Sequence, residues 1–139
     1  MNGWLHYGGG LELWRELYAP FGVVPFAGGS TGVQMAGWFN TRLKSRADLE
    51  GLKMRIPGLA GEVFDAAGGS AVRIAGGEVY TSMQTGVIDA VEWVGPYNDR
   101  TLGPMEVGDY YYYPGWWEPG PTLTALVNQK AWSKLPVGV

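Results

Sequence analysis

Between residues 33 and 94, short apolar runs alternate with stretches whose apolar residues recur at helical spacing, and glycine or proline marks each change. Residues 33–39 are apolar apart from Gln34 and read as a strand. Ser45-Arg46-Ala47-Asp48 has the capping-box pattern, which predicts a short helix ending at Gly51. Residues 53–56 read as a strand stopped by Pro57-Gly58. Leu59, Val63, Phe64 and Ala67 then follow at helical spacing until Gly68-Gly69 closes the helix. Residues 71–74 read as a strand, residues 78–84 as a helix ended by Gly86, and residues 87–94 as a further strand. Strands separated by helices of about ten residues imply βαβ units and a mainly parallel sheet, so the class is α/β.

The flanks are less regular. Leu11, Trp14, Leu17 and Tyr18 share a helical face that ends near Pro20 and Gly22. Residues 23–26 read as a short strand. Gly28-Gly29-Ser30-Thr31-Gly32 reads as a loop, and it lacks the spacing and lysine of a phosphate loop. After Gly95 the pattern gives way to Tyr- and Trp-rich turns from Tyr97 through Trp117. A strand at 122–127 and a helix over 129–135 follow.

Composition removes several classes of function. Hydrophobic residues are 46% and charged ones 17% of the chain, which excludes a disordered, solvating polymer. No apolar run approaches the roughly 18 residues of a membrane span. The first residues, Met1-Asn2-Gly3-Trp4-Leu5-His6, have neither a basic nor an apolar leader region, so no signal peptide is expected in this chain. A net charge of −3 without charge blocks gives no footprint for nucleic acid. With no cysteine and the single His6, thiolate chemistry and multi-histidine metal clusters are excluded. No motif calls for an organic cofactor. The chemistry falls to carboxylates, amides, arginines and aromatics.

Three polar residues stand out. Arg55 ends a strand just before Pro57-Gly58, where open α/β sheets bind ligands, and a guanidinium there can grip a carboxylate with two prongs. A surface arginine paired with a nearby acid is the alternative. Glu92 sits within Val91-Glu92-Trp93-Val94, and a buried glutamate needs a partner or a metal; on a half-exposed strand it would simply face water. Gln34, between Val33 and Met35, poses the same question. Tyr80, Trp116, Trp117 and the run Tyr110-Tyr111-Tyr112-Tyr113 are either walls of an apolar pocket or packing.

Three ordered segments carry a family resemblance. Residues 45–57 (SRADLEGLKMRIP), 77–90 (GEVYTSMQTGVIDA) and 128–136 (NQKAWSKLP) resemble segments of the DctP-type solute receptors of TRAP transporters. Residues 32–35 (GVQM), 91–99 (VEWVGPYND) and 110–119 (YYYYPGWWEP) are similar to the branch that binds 2-oxo acids such as pyruvate. In that branch the arginine of the first segment grips the ligand carboxylate. A glutamine, a glutamate and the tryptophan after it hold a cation beside the ligand. The resemblance assigns these roles to Arg55, Gln34, Glu92 and Trp93; of the aromatic candidates, Trp116 and Tyr80 are expected to contact the substrate as well.

The resemblance implies a two-lobed, periplasmic-binding-protein-like α/β fold of type II character. The chain is expected to be a fragment, lacking the N-terminal part of the first lobe and the C-terminal helices. Residues 1–37 would belong to the first lobe and first hinge strand, and 38–91 to the second lobe. Residues 92–139 would form the second hinge strand, the return toward the first lobe and a later crossing segment. The implied partners are a small carboxylate and the integral membrane subunits of a TRAP transporter, and the implied location is the periplasm. The missing C-terminal helices are the elements that would pair a homodimer of the full-length protein. The oxygens of Gln34, Glu92 and Trp93 suit a hard cation. Glu92 and the ligand carboxylate balance Arg55 and Na+; Ca2+ would leave one positive charge over, which Asp89 would offset. Two other readings stay open. One is a receptor for a hydroxy acid or a dicarboxylate, with Arg73 or Lys53 as a second cation. The other is a small α/β enzyme acting on an oxo acid with Glu92 as general base, for which the chain offers no nucleophile–base pair. Binding without turnover is the expectation.

Overall fold

The computed structural model describes residues 1–136, so the last three residues of the segment expected over 92–139 lie outside the described residues. It forms two compact units, one of residues 1–31 with the chain from 121 onward, the other of residues 32–120. The segment 38–91 lies wholly inside the second unit. Among the described residues no helix is long and apolar enough to cross a membrane.

The first unit opens with helices α1 (Asn2–Tyr7) and α2 (Gly10–Tyr18) and continues into strand β1 (Val23–Ser30). β1 pairs antiparallel with β7 (Thr122–Asn128), which runs directly into α6 (Gln129–Trp132). The Asn128 side chain starts α6 by accepting from the Lys130 and Ala131 amides at 3.0 and 3.2 Å. β1 is longer than the sequence reading of 23–26. The pairing slips between Ala27 and Gly29, and Gly29 with φ 140° supplies the conformation that the irregularity needs.

The second unit holds a five-stranded sheet in the order β4-β3-β5-β2-β6. Its strands are β2 (Gly37–Phe39), β3 (Lys53–Arg55), β4 (Ser70–Val72), β5 (Ala90–Val91) and β6 (Tyr110–Tyr112). β3 is parallel to β4 and β5, whereas β2 is antiparallel to β5 and β6. The sheet is thus mixed rather than mainly parallel. β2 is the reason, running against both of its neighbours, while β6, formed from the tyrosine run expected among the turns, has the same sense as β5.

Helices α3 (Gly58–Ala66) and α4 (Val79–Gln84) cover opposite faces of this sheet. Successive strand residues point to opposite sides. Accordingly Phe39, Met54 and Ala90 pack with Leu52, Ile56 and Phe64 of the α3 side, while Val91 packs with Val79, Met83 and Ile88 of the α4 side. Burying each such side chain stabilises the unit by about 1.5–3 kcal/mol. The 3-10 turn Arg46–Leu49 carries the expected capping box, with the Ser45 amide donating to Asp48 Oδ2 at 2.7 Å.

Two strands are shorter than their apolar runs. Val87 and Ile88 fold back, both amides donating to Ser82 O, which leaves only Ala90–Val91 in the sheet. Gln34, Met35 and Ala36 donate to three different segments, at Glu118 O, Val94 O and Tyr112 O, so no single ladder forms before Gly37.

Candidate functional site

The parallel register of β3 and β5 sets Arg55 beside Val91, and the Glu92 amide donates to Arg55 O at 3.0 Å. Arg55 and Glu92 therefore emerge together at the C-terminal ends of adjacent strands. Arg55 Nη1 donates to Glu92 O at 2.7 Å and lies 3.4 Å from Glu92 Oε2, while Nε donates to Ile74 O at 3.3 Å. The guanidinium carbon stands 4.6 Å from the centre of the Trp93 ring, a cation–π stack that holds it flat. Among the described residues Nη2 makes no hydrogen bond, so one edge of the fork is left for a ligand.

Glu92 is only 3% exposed, and its Oε1 is buried and accepts no hydrogen bond among the described residues. Burial first, and the negative charge of Glu118 next, push its carboxyl up to about 8 against the pull of Arg55. Arg55 is pulled down by burial and held up by Glu92 and Glu118. Glu118 is the residue that sequence reasoning missed. It lies in the tryptophan-rich segment, and nothing local separates it from the surrounding turn residues. Its peptide oxygen accepts the Gln34 amide at 3.1 Å, which ties it to a second candidate.

Gln34 is buried, 3% exposed, on a segment pressed against Gly115: a Cβ there would lie 2.8 Å from Gln34 O. The same segment is joined to the turn after Glu92–Trp93 through Met35 N–H to Val94 O, 2.9 Å. Trp93 packs over Gly76, where a Cβ would stand 3.0 Å from its ring. Tyr80, on α4, lies against Gly103. Trp116 is exposed, meets Trp117 edge-to-face at 4.9 Å, and lines a hollow of about 340 Å³ with Phe39, Leu43 and Phe64. None of Arg55, Glu92 and Trp93 lines that hollow. Asp89 is occupied elsewhere. Its carboxylate accepts the Lys53 amide at 3.0 Å where β3 begins, three residues before Glu92, or about 10 Å along a strand.

The donors that suit a cation here are oxygens. Among the described residues no group of three or more His, Cys, Asp or Glu side chains converges on a metal position. A cation must then draw on amide, carbonyl and ligand oxygens beside Glu92. The buried, unsatisfied Oε1 is a donor that fits a hard ion, and the added negative potential of Glu118 favours one.

Known proteins share this arrangement of strands and segments. The model of the bacterial extracellular solute-binding proteins, family 7 (DctP), matches residues 10–139. The monocarboxylate 2-oxoacid-binding periplasmic protein of Nostoc sp. is 55% identical over 133 residues, 96% of this chain and 36% of that protein. A TRAP periplasmic solute-binding protein from Pseudoalteromonas atlantica, solved with bound sodium and pyruvate, superposes with a TM-score of 0.91 at 49% identity, over 97% of this chain and 41% of that one. Its counterpart from Colwellia psychrerythraea, with bound calcium and pyruvate, gives 0.92 at 49% identity over the same shares. The chain thus spans 36–41% of the length of these relatives.

Proposed function

The chain belongs to family 7 of the bacterial extracellular solute-binding proteins, and from that premise we propose that it carries the carboxylate-gripping and cation-binding part of a TRAP receptor for small 2-oxo acids such as pyruvate. The observation that carries the reading is the Arg55–Glu92–Trp93 cluster: a guanidinium held flat and pinned by two backbone carbonyls, beside a buried carboxylate with one oxygen unsatisfied. Arg55 Nη2 would receive the ligand carboxylate, and because the rest of the fork is already fixed, little side-chain entropy is lost on binding. Glu92 Oε1 with the Gln34 and Trp93 oxygens would hold the cation, which supplies positive charge to the ligand oxygens.

Counting Glu118 changes the charge balance. Once the cation displaces the proton of Glu92, Glu92, Glu118, the buried Asp99 and the ligand carboxylate are negative against Arg55 alone, so a divalent ion offsets more of the excess than sodium does. Calcium is then the tighter ion and sodium a weaker substitute; Glu118 replaces Asp89 in that balance. Of the pyruvate-bound relatives, one carries sodium and the other calcium. A dicarboxylate would need a second buried cation, and Arg73 and Lys53 are both exposed. Delivery from the periplasm to the membrane subunits of a TRAP transporter is part of this proposal, and membership of the extracellular solute-binding proteins supports it. In such a receptor the ligand drives closure through its better contacts in the closed state.

The test is a tryptophan-fluorescence titration with pyruvate in calcium, on wild type and Arg55→Ala. Saturable quenching in wild type and none in the variant is expected. Equal responses in both would remove Arg55 from the site.

A further inference from the structure

We propose that Asp99 is a positioning residue of the carboxylate-and-cation site, clamping the turn that carries Glu92 and Trp93 onto the segment that carries Gln34. The inference rests on the functional reading above. Asp99 closes the short helix α5 (Pro96–Asp99) and is 1% exposed, yet among the described residues it forms no ion pair. Its carboxylate is held by three neutral donors. Oδ1 accepts the Val94 and Gly95 amides at 3.2 and 3.0 Å, and Oδ2 accepts Trp38 Nε1–H at 2.9 Å.

These bonds join two pieces of chain that are far apart in sequence. Val94 and Gly95 directly follow Glu92–Trp93, and Val94 O in turn accepts the Met35 amide at 2.9 Å. Trp38 lies opposite Val91 in the sheet and stacks on Tyr111 at 4.3 Å. Residues 92–95 are therefore fastened to residues 34–38 twice, once by the Met35 amide to Val94 O and once through Asp99 to Trp38, and Asp99 also holds the amide of the same Val94. A buried carboxylate near Glu92 is unfavourable by itself, because like charges in a dry setting repel. Its position where turn and strand must keep register fits a residue that sets the spacing of the cation's oxygen donors. An ionised acceptor gives stronger bonds to the amides than a neutral one.

Asp99→Asn in the whole protein tests this. Hydrogen exchange of the Val94, Gly95 and Met35 amides gives a ligand-free reading, and calorimetric titration with pyruvate and with calcium gives the functional one. Asp89→Ala, which removes the acceptor of the Lys53 amide at the far end of β3, is the control for plain loss of stability. The expected result is faster exchange at those three amides and both affinities down about ten- to a hundredfold, with the control's affinities unchanged. If Asp99→Asn matches the control in stability and keeps wild-type exchange and affinities, the inference is overturned. If Asp99→Asn does not fold, Trp38→Phe, which removes one donor, takes its place: severalfold weaker calcium binding supports the clamp, and unaltered binding overturns it. A wild-type protein that binds no carboxylate at all sinks the functional reading, and this inference with it.

Discussion

Glu92→Gln should make the ligand-free protein more stable at alkaline pH while removing its ability to bind. Glu92 rises from an ordinary 4.5 to about 8 on folding, because burial and the Glu118 charge outweigh Arg55. The folded state therefore holds a proton that the unfolded state has already lost. Stability from this group is complete below about pH 4.5 and is lost as pH climbs through about 8. At about 1.4 kcal/mol per pH unit the whole swing is on the order of 4–5 kcal/mol. Glutamine has no proton to lose and nearly the same shape, but it cannot neutralise Arg55. That guanidinium keeps its bonds to the carbonyls of residues 92 and 74. The net gain at pH 8.5 is then about 2–4 kcal/mol. Urea unfolding between pH 5 and 9, in chelator and sodium-free buffer, measures it. Wild type should weaken steadily across that range and Glu92→Gln should stay flat. Calcium with pyruvate should restore wild type by mass action and leave the variant unaffected. A wild-type profile that is flat or rises with pH would refute the reasoning, and so would a variant that binds calcium as well as wild type.

Arg55→Lys should weaken pyruvate about ten- to a hundredfold by calorimetry, since an ammonium can neither stack flat on Trp93 nor keep both carbonyl bonds while offering a further N–H to the ligand. Gly115→Ala should destabilise by about 1–3 kcal/mol in thermal melts, because its Cβ would press on the Gln34 and Met35 backbone at 2.8 Å. Its calcium affinity should fall as well, which a remote packing defect would not produce. Asp89→Ala should lower stability by about 1 kcal/mol through loss of the Lys53 amide bond, with pyruvate and calcium affinities unchanged.

Much of the fold was legible because glycine and proline mark the changes of element. Pro57, Gly86 and the Ser45–Asp48 box all act within a few residues of themselves. Strand limits were not legible where the backbone partner lies elsewhere. Val87 and Ile88 look like strand and instead return to Ser82, and the residues after Gln34 are shared among three segments. The tyrosine strand β6 was hidden for the same reason, since it exists only against Gly37–Phe39. Arg55 and Glu92 were noticeable as candidates because a charged residue is conspicuous in or at the end of an apolar strand, whereas Trp93 was assigned only through the family resemblance. Asp99 and Glu118 could not be picked out. Asp99 is buried by Trp38, 61 positions away, and Glu118 matters through charge on Glu92 and Arg55 that no spacing encodes.

The most direct measurement is pyruvate affinity as a function of calcium and sodium, by calorimetry at pH 7.5. Shared oxygens between ligand and cation require that each tighten the other by the same factor. The account predicts that pyruvate binds weakly in chelator, more tightly in sodium and most tightly in calcium, with Glu92→Gln indifferent to both ions. Pyruvate binding of one strength in all three buffers would contradict it.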